Sequence, residues 1–467
     1  MNYIIQQKDI DILFQGVKNL SYKIELLNRN LKVIDVITGN LIDDSFSISA
    51  ESAIRRTYNC TLYVSDSTFD IGADKKVWID RYIRPYIGIE HIRSGEVLWY
   101  LMGTYIINEP DYNYDKENKT LSLTCSDLMC ILNGDIDGKI QDYSLKIPAG
   151  SYIRNVIVSL LNEIGIKKYY VQDIGKEIPY DLEYSVDATY YDVLKDIVDL
   201  YAGYEMFFDI DGTFIIQKIP TTKNEISILD ESIINPLVIK ENKQNTFNKI
   251  YNVTKIWGKF LEPDYYTQTA NYSNNIYSAT FSGISELENF AKYAIKIPSN
   301  NQNNVRLNIN GIGAKLILDD YNNPISSNRL KANMDYVFKY RRATDDFLLL
   351  GQYQAYGEYK CYDEDCPFSI TNLGKEIINT MQLDELESDD LCQQRAKYET
   401  WLSTRFLDQI SLEMVNIPFL DVNKKITYTN EAGETKDYII KSISGSNSNF
   451  IINVSMMKYS ELYPDIV

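Results

Sequence analysis

The stretch YYDVLKDIVDLYAGYEMFFDIDGTFIIQK, residues 190–218, contains a helical pattern followed directly by a β-hairpin pattern. Apolar residues recur at helical spacing after Thr189, a candidate N-cap, and Gly203 marks the end of the helix. The aromatic and β-branched residues that follow flank Asp211-Gly212, a dipeptide typical of a tight hairpin turn. The sequence therefore predicts a helix and a hairpin joined by a short connection.

The tetrapeptide DIDG occurs twice, at 135–138 and 209–212, and acidic residues before a glycine also begin calcium-binding loops. An EF-hand loop needs an oxygen ligand at position 1, glycine at position 6 and a bidentate glutamate at position 12. With the second copy's glycine at position 6, positions 1 and 12 hold Phe207 and Lys218. With the first copy's glycine there, position 12 holds Ser144, which cannot bind in a bidentate manner. Both copies are predicted to be turns.

The chain has 467 residues, which at about 150 residues per domain predicts three or so structural units. Its 38 tyrosines far exceed the 16 phenylalanines and 4 tryptophans. Tyrosine suits the half-buried surfaces of β-rich folds and subunit interfaces, because the ring packs while the hydroxyl stays hydrogen-bonded. A genome of low GC content would also favour tyrosine, and composition leaves both explanations open.

The net charge of −18 argues against wrapping duplex nucleic acid, because affinity for it comes mainly from lysine and arginine that neutralise phosphates. No segment approaches the roughly 18 consecutive apolar residues of a membrane-spanning helix. The N-terminal stretch MNYIIQQKDIDILFQGV carries charges within its apolar part and lacks a small-residue cleavage site. We therefore expect no signal peptide, no membrane insertion, no sequence-specific nucleic-acid binding, and assembly in a cytoplasm.

Two C-x4-C pairs, Cys125/Cys130 and Cys361/Cys366, could together form a four-thiolate site for zinc or an iron–sulfur cluster. The two pairs lie far apart in the chain, and CSDLMCIL is typical of a buried helical turn. We therefore expect free buried thiols. The second pair, which flanks YDED, stays a weak metal candidate, and no cofactor is expected.

Catalytic motifs are absent from the sequence. His91 is the only histidine and lies in a strand-like stretch, so no multi-histidine metal centre can form and a histidine triad would rest on it alone. No G-x-S-x-G, P-loop or H-E-x-x-H motif occurs. A carboxylate pair for glycoside hydrolysis stays open, because 65 acidic residues always supply candidates. We predict that the protein is not an enzyme.

Patterns change along the chain. Residues 18–145 show β-former stretches separated by turns, which favours a barrel or sandwich. Two helical patterns and the hairpin follow, with Ser151 as a candidate N-cap of the first helix. Further β-formers with Asn-rich loops lead to a helix capped by Ser388, and the closing strands contain NEAGE as a hairpin turn.

Three stretches, in this order, resemble the baseplate hub proteins of tailed phages and contractile injection systems. This family includes late-control protein D and the base of the type VI secretion spike. The stretches are IDRYIRPYIGIEHIRSGEVLWYLMGTYIINEP (79–110), TYYDVLKDIVDLYAGYEMFFDIDGTFIIQK (189–218) and QRAKYETWLSTRFLDQISLEMVNIPFLDVNKKITY (394–428). Each pattern is degenerate, and their shared order gives the resemblance its specificity.

The resemblance implies a mainly-β fold with an α+β insertion, in which each chain supplies two related tube-like β-barrels. Three subunits would form a homotrimer with a pseudo-sixfold ring that adapts the sixfold tail tube to a threefold spike or needle. The division that follows is a first β-barrel at 1–147, an α+β helix–hairpin domain at 148–235, a β-rich region with long loops that is part of the barrel assembly at 236–385, and a helix with the closing strands of the second β-barrel at 386–467.

The resemblance also implies a structural role and a place in the virion tail baseplate. The implied partners are the tail tube protein, the spike or needle protein, the tape measure protein and the baseplate wedge proteins. The short chain favours a contractile tail, of a phage or of a tailocin, and a negative tube wall would let DNA pass without sticking.

Other functions stay open at this point. One is a hub or tip protein of a flexible-tailed phage. Another is a cell-wall hydrolase with two catalytic carboxylates, which a zymogram on purified walls would reveal. A third is a surface carbohydrate-binding or adhesin-like protein, which would need an export signal and exposed aromatic clusters.

Overall fold

The computed structural model describes residues 4–38, 41–64, 69–79, 81–114, 119–140, 144–219, 228–243, 247–404 and 409–458. Strands dominate these ranges, and the helices are few and short. The prediction of a mainly-β fold with an α+β insertion is therefore confirmed. None of the helices in the described ranges is long and apolar enough to cross a bilayer.

Within the described residues, the N-terminal part contains one α-helix and eight strands. They are α1 (Gln7–Leu13), β1 (Leu20–Leu27), β2 (Val33–Thr38), β3 (Leu41–Ser49), β4 (Arg56–Tyr63), β5 (Tyr82–His91), β6 (Glu96–Leu101), β7 (Tyr105–Tyr114) and β8 (Lys119–Asp127). Burial alternates along β4, where Tyr58, Cys60 and Leu62 are buried and Asn59 is exposed. This alternation places one apolar and one polar face on the sheet.

The α+β unit follows. Its elements are β9 (Leu145–Ile147), α2 (Ile153–Glu163), β10 (Tyr169–Val171), β11 (Leu182–Tyr184), α3 (Tyr190–Asp199), β12 (Tyr204–Phe208) and β13 (Phe214–Lys218). Thr189 caps α3 in a capping box with Asp192, as predicted for the cap. The hairpin of β12 and β13 turns at Gly212, which has a φ of 79°. The helix and hairpin predicted from 190–218 are confirmed.

Two other local predictions have different outcomes. The first DIDG copy is a turn, as predicted: Gly134 N donates to Asp137 O at 2.9 Å. Ser151 was the wrong cap, because α2 has Tyr152 at its N-cap position without a side-chain hydrogen bond. Instead, Ile153 N at the start of the helix donates to Lys176 O at 3.1 Å, so a neighbouring segment satisfies it.

The remaining elements begin with α4 and end with the closing strands. They are α4 (Glu231–Ile234), β14 (Val238–Lys243), β15 (Val253–Phe260), β16 (Tyr265–Thr269), β17 (Asn271–Ser273), β18 (Ile276–Ala279), β19 (Lys292–Lys296), β20 (Arg306–Ile309), β21 (Lys315–Leu318), β22 (Asp335–Arg341), β23 (Asp346–Gly351), β24 (Gln354–Lys360), α5 (Ile370–Leu373), β25 (Ile378–Gln382), α6 (Asp389–Thr404), β26 (Gln409–Val415), β27 (Lys425–Thr429), β28 (Thr435–Ser446) and β29 (Ile451–Lys458). Ser388 Oγ accepts from Leu391 N at 3.3 Å, and NEAGE turns between β27 and β28, as predicted for both.

Strands from both ends of the chain form one nearly closed, barrel-like sheet. Its thirteen strands run in the order β14-β26-β29-β28-β3-β4-β8-β7-β5-β1-β2, with β27 added to β28 and β6 added to β5. One apolar core lies under both halves, and it includes Tyr58 and Leu123 from the first part and Ile410 and Val454 from the last. The two ends of the chain therefore fold as one body.

The middle of the chain builds separate layers. Strands β16 to β23 form an eight-stranded sheet with its own aromatic core, in which the rings of Tyr265 and Tyr293 stack at 4.9 Å between centroids. Strands β24, β15 and β25 form a three-stranded sheet that α6 covers. The structure groups the strands into sheets. The predicted division of the chain into four parts, at 1–147, 148–235, 236–385 and 386–467, stays a prediction.

Candidate functional site

The barrel-like sheet contains two four-stranded repeats that lie side by side. Repeat one is β3-β4-β8-β7, and repeat two is β14-β26-β29-β28. Cross-strand partners match position by position: Phe46, Tyr58, Cys125 and Ile107 line up across repeat one, and Lys243, Ile410, Met456 and Ile440 line up across repeat two. β3 therefore corresponds to β14, and β7 corresponds to β28.

β-bulges at equivalent positions in the two repeats support this correspondence between their strands. In the hairpin of β7 and β8, Asn108 is an extra residue after the sequence Tyr-Ile-Ile at 105–107. In the hairpin of β28 and β29, Lys441 is an extra residue after Tyr-Ile-Ile at 438–440. Because β-bulges are placed features of a sheet, the same bulge after the same tripeptide indicates one shared design.

The first strands of the two repeats also carry matching bulges. Ile42 has no partner in the pairing of β3 with β4, and Ile239 has none in the pairing of β14 with β26. Both side chains point into solvent, with 54% and 56% of their surfaces exposed. The two repeats thus share strand order, register and two bulges.

Inside the chain the repeats are joined by β28 and β3. The antiparallel pairing runs from Ser442 opposite Ser49 to Gly445 opposite Phe46. Asp44 strengthens this joint: its Oδ1 accepts from Asn447 N at 2.8 Å, and its Oδ2 accepts from Asn447 Nδ2 at 2.5 Å. Buried carboxylates need such donors, so the joint is specified by side chains as well as by the ladder.

The face of the two repeats that points away from the core is polar. One row of cross-strand neighbours spans both repeats and consists of Lys240, Glu413, Asn453, Ser444, Ser47, Thr57 and Ser126. Hydroxyls on this face bond to one another and to amides. Thr61 Oγ1 lies 3.1 Å from Ser122 Oγ, and Asn108 Nδ2 donates to Ser126 Oγ at 2.6 Å.

Charges on the polar face are mostly acidic. Acidic residues of this face include Asp43, Glu109, Asp111 and Glu413, and its basic residues include Lys240 on the outermost strand β14 and Lys441 at the bulge of β28. This face was not among the features predicted from the sequence. The sequence pattern that could have revealed this face is the alternation of Ser, Thr and Asn with apolar residues, as in RTYNCTLY of β4 and KTLSLTCSD of β8.

Arg56 links the two repeats to the α+β unit. Its Nη2 lies 2.5 Å from Asp421 Oδ2 in the segment after β26, and its Nη1 donates to Phe208 O at 3.2 Å. Only 1% of the Arg56 surface is exposed. Burial lowers the pKa of Arg56, but the nearby acidic groups, Asp421 foremost with Tyr105, Asp209 and Asp127, together outweigh burial and hold the pKa above its usual value.

Arg55 makes a second link beside it. Its Nη2 lies 2.5 Å from Glu205 Oε2, and its guanidinium lies 3.6 Å from the centre of the Phe207 ring. Asn423 Nδ2 donates to the same Glu205 oxygen at 2.7 Å. The hairpin of the α+β unit is therefore fixed to both repeats by charged hydrogen bonds.

A buried ionic cluster joins the other layers. Glu387 forms ion pairs with two lysines: its Oε1 lies 2.8 Å from Lys292 Nζ, and its Oε2 lies 2.5 Å from Lys339 Nζ. Burial raises the pKa of Glu387, but these two ammonium groups outweigh it and lower the pKa overall. Asp320 accepts from Ser388 Oγ, and burial raises its pKa to about 7.

The cluster connects three layers of the molecule. Lys339 on β22 also donates to Pro179 O in the α+β unit. Lys176 Nζ of the same unit donates to Asp320 O at 3.1 Å. The carboxylates of this cluster are thus held by lysines and a hydroxyl that tie the α+β unit to the eight-stranded sheet and to the segment before α6.

The structure brings Cys361 and Cys366 together. A hydrogen bond between their thiol groups lowers the pKa of Cys366 to about 6 and raises the pKa of Cys361. In the part of the chain that the structure describes, no group of three or more His, Cys, Asp or Glu side chains is placed to hold a metal ion. Metal binding by this pair stays a prediction.

The other residues considered as metal ligands or catalytic groups, Cys125, Cys130 and His91, are buried. Cys125 belongs to the core under the sheet and Cys130 to the core of the α+β unit, and burial raises the pKa of both thiols. Both thiols are buried, as predicted, and neither forms a disulfide. His91 ends β5 and is buried, with Nδ1 2.7 Å from Ser94 Oγ and Nε2 3.6 Å from an Asp11 carboxylate oxygen. It is a strand histidine, as predicted, and it is hydrogen-bonded through Nδ1.

Comparisons with known proteins place this fold. Residues 365–463 match a family model described as a domain of unknown function (DUF5048). Among curated protein sequences, none matches.

Two solved structures have a similar fold over nearly the whole chain. One is the 43 kDa tail protein of prophage MuSo2 from Shewanella oneidensis, at 12% identity, with 94% of this chain and 98% of that chain covered and a TM-score of 0.52. The other is the tail protein from Neisseria meningitidis MC58, at 9% identity, with 95% and 99% covered and a TM-score of 0.52. The chain therefore has the fold of phage tail proteins, which confirms the resemblance drawn from its sequence.

Proposed function

We propose that this protein is a structural baseplate hub at the distal end of a phage or tailocin tail. The observation that carries the proposal is the pair of four-stranded repeats joined edge to edge in one sheet. Three copies of such a chain supply six repeats. A homotrimer can therefore match a sixfold tail tube on one side and a threefold spike or needle on the other.

The polar face of the repeats supports a channel through this ring. Its hydroxyl and amide groups stay hydrated, and its charges are mainly acidic. DNA gains affinity for proteins chiefly through lysine and arginine, so such a wall lets it pass without sticking. The tube, spike or needle, tape measure and wedge proteins are the proposed partners, in the virion tail baseplate.

The first test is the mass of the purified chain in solution, by native mass spectrometry under reducing conditions. We expect a trimer, partly populated for the chain alone and enriched when the tail tube protein of the same particle is added. A chain that stays monomeric in both samples would overturn the hub proposal. The same spectra, taken with and without a chelator, show whether the Cys361 and Cys366 pair carries a metal.

Two alternatives have their own readouts. A hub or tip protein of a flexible-tailed phage shares the fold, and the particle's tail type in electron micrographs decides between the two. A cell-wall hydrolase would clear purified walls in a zymogram. The hub proposal predicts no clearing, because the clustered buried carboxylates of Glu387 and Asp320 are held by lysines and a hydroxyl in the interior.

A further inference from the structure

The loop between β24 and α5 holds two cysteines whose thiol groups are in contact. Cys361 directly follows β24, which ends at Lys360, and Cys366 lies before α5, which begins at Ile370. Neither cysteine forms a disulfide, and the Cys361 thiol donates a hydrogen bond to the Cys366 sulfur. The described residues contain no group of three or more His, Cys, Asp or Glu side chains placed to hold a metal ion. The contact is therefore one between two thiols, outside any larger cluster of such side chains.

Hydrogen bonds of the backbone hold both cysteines in place. Cys361 N donates to Asn252 O at 2.9 Å, and Cys361 O accepts from Ile370 N at 2.8 Å. Cys366 O accepts from Ser369 N at 2.9 Å. A disulfide needs a sulfur–sulfur distance of about 2.05 Å and Cβ atoms about 3.5–4.5 Å apart. Two thiols that already share a hydrogen bond approach this geometry by side-chain rotation, while the hydrogen bonds of the backbone stay in place.

We propose that Cys361 and Cys366 are a site of reversible oxidation, at which hydrogen peroxide converts the two thiols into a disulfide. In the first step the Cys366 thiolate attacks one peroxide oxygen, so that an S–O bond forms, the O–O bond breaks and hydroxide leaves. In the second step the Cys361 sulfur attacks the sulfur of this sulfenic acid, so that the S–S bond forms, the S–O bond breaks and water leaves with the Cys361 proton. The two thiols lose two electrons, which the peroxide gains. A small thiol reverses the reaction by thiol–disulfide exchange.

The surroundings of the two sulfurs set the order of these steps. Cys366 is partly exposed, whereas Cys361 is buried. The Cys366 sulfur accepts hydrogen bonds from the Cys361 thiol, the Phe368 N–H and the Thr404 hydroxyl. These bonds outweigh burial and lower the pKa of Cys366 to about 6, whereas the hydrogen bond to Cys366 and burial raise the pKa of Cys361. Peroxide reacts with an accessible thiolate, so Cys366 is the group that is oxidised first.

The other four cysteines of the chain serve as internal controls. All are buried, and burial raises the pKa of each thiol: Cys60, Cys125, Cys130 and Cys392. Buried thiols that stay protonated react slowly with peroxides and with alkylating agents. The same molecule therefore contains one reactive pair and four thiols of low reactivity.

Mass spectrometry of the full chain tests the site. The protein is purified with a reductant, transferred to buffer without it and treated with hydrogen peroxide. Trypsin cleaves after Lys360 and Lys375, so both cysteines lie in the peptide CYDEDCPFSITNLGK, residues 361–375. We expect this peptide to lose two hydrogen atoms, about 2 Da, and to regain them on treatment with dithiothreitol. The four buried thiols are expected to keep their hydrogen atoms.

Two variants separate the roles of the two cysteines. Cys361→Ser keeps a hydroxyl donor beside the Cys366 sulfur but removes the second thiol. We expect oxidation of this variant to stop at the sulfenic acid of Cys366, which dimedone traps as a stable adduct. Cys366→Ser removes the thiol that reacts first, so we expect neither the adduct nor the disulfide at the peroxide concentration that oxidises the wild type. Circular dichroism on both variants confirms that the fold is kept.

Alkylation of the unaltered chain provides a measurement that needs no variant. With iodoacetamide at about pH 7, we expect Cys366 to react roughly tenfold faster, or more, than any of the four buried cysteines. The rates are measured by the mass of each cysteine-containing peptide at successive times.

Three results would overturn the inference. The first is a 361–375 peptide that keeps its full mass under peroxide. The second is alkylation of Cys366 no faster than that of the buried thiols. The third is a zinc or iron ion held by the pair in the native mass spectrum of the reduced chain. The hub proposal stands or falls separately, because the mass of the chain with its tube protein tests it.

Discussion

At the scale of single residues, Arg56 is expected to contribute strongly to stability because it joins three parts of the chain. Replacing it in Arg56→Leu leaves the Asp421 carboxylate without its guanidinium and Phe208 O without its donor. Breaking one side of a buried ion pair costs roughly 3 kcal/mol or more of the free energy of unfolding. Urea denaturation measures this loss.

The matched control for this experiment is Arg93→Leu. Arg93 is exposed, and surface substitutions of this kind change stability by about 0.5 kcal/mol or less. Equal stability of the two variants would contradict the role assigned to Arg56.

The raised pKa of Asp320 leads us to expect that the free energy of unfolding depends on pH. Burial raises its pKa to about 7, far above the value of the unfolded chain. The unfolded state therefore loses this proton first, and the free energy of unfolding falls as pH rises from about 4 to about 7. The groups that face Asp320 are Ser388, Asp390, Lys339 and Glu387.

Asp320→Asn removes this titration. The variant is expected to equal the wild type near pH 4 and to exceed it by on the order of 2 kcal/mol at pH 8. Urea denaturation across this range measures the difference. Asp187→Asn, at an exposed position, serves as the control and is expected to follow the wild type. A wild type that gains stability from pH 5 to pH 8 relative to Asp320→Asn would contradict the assignment.

At the scale of elements, α6 depends on two glycines beneath it. A Cβ at Gly357 would lie 2.2 Å from Gln393 N, and one at Gly258 would lie 2.3 Å from Leu386 O. These contacts are with backbone atoms, so α6 would have to move at Gly357 and the segment before α6 would have to move at Gly258. Gly357→Ala is expected to cost roughly 2–4 kcal/mol of the free energy of unfolding, as overpacking does in a close-packed interior.

Thermal and urea denaturation check this expectation. Gly16→Ala is the control, because a Cβ at that position meets nothing within 4 Å. A Gly357→Ala variant as stable as the control would show that α6 does not lie against β24 as described.

The elements that could be predicted from the sequence are those defined by neighbouring residues. Thr189, Gly203 and the Asp-Gly turn are local signals, and α3 with its hairpin formed where they indicated. The prediction of Ser151 as the N-cap was wrong because the carbonyl of Lys176, more than twenty positions further along the chain, accepts the hydrogen bond of Ile153 N instead. The repeat could not be found by a search for a fixed period, because the eight-stranded sheet and α6 separate β14 from its partner β26.

At the scale of the whole molecule, the polar face predicts that the proposed ring does not bind DNA. Ser47, Thr57 and Ser444 lie side by side across the internal joint. The variant Ser47→Lys, Thr57→Lys, Ser444→Lys is expected to bind duplex DNA at least tenfold more tightly than the wild type at low salt. Its affinity should fall steeply as salt rises, because counterions compete for the phosphates.

Fluorescence anisotropy with a labelled duplex, at several salt concentrations, measures this. The same three positions changed to glutamine control for size without adding charge. Wild-type binding as tight and as salt-dependent as that of the lysine variant would contradict a non-adhesive wall.

The mainly-β architecture could be predicted from alternating apolar and polar residues in the sequence, whereas the polar face of the two repeats could not. A period-two pattern shows that one face is polar, but not that two such faces lie in one sheet. That depends on Ser442 pairing with Ser49, a contact between opposite ends of the chain. Long-range pairing of this kind leaves no mark on local sequence.

The same long-range joint has a consequence for synthesis. The edge of β3 leaves the ribosome long before its partner β28, which follows it by hundreds of residues. At 5–20 residues per second, the edge waits on the order of tens of seconds for its partner. During that interval the carboxylates of Asp43 and Asp44 lie on an open strand, where charge opposes pairing between nascent chains. Asp44 then moves from water to the buried amide of Asn447 when the hairpin of β28 and β29 is made.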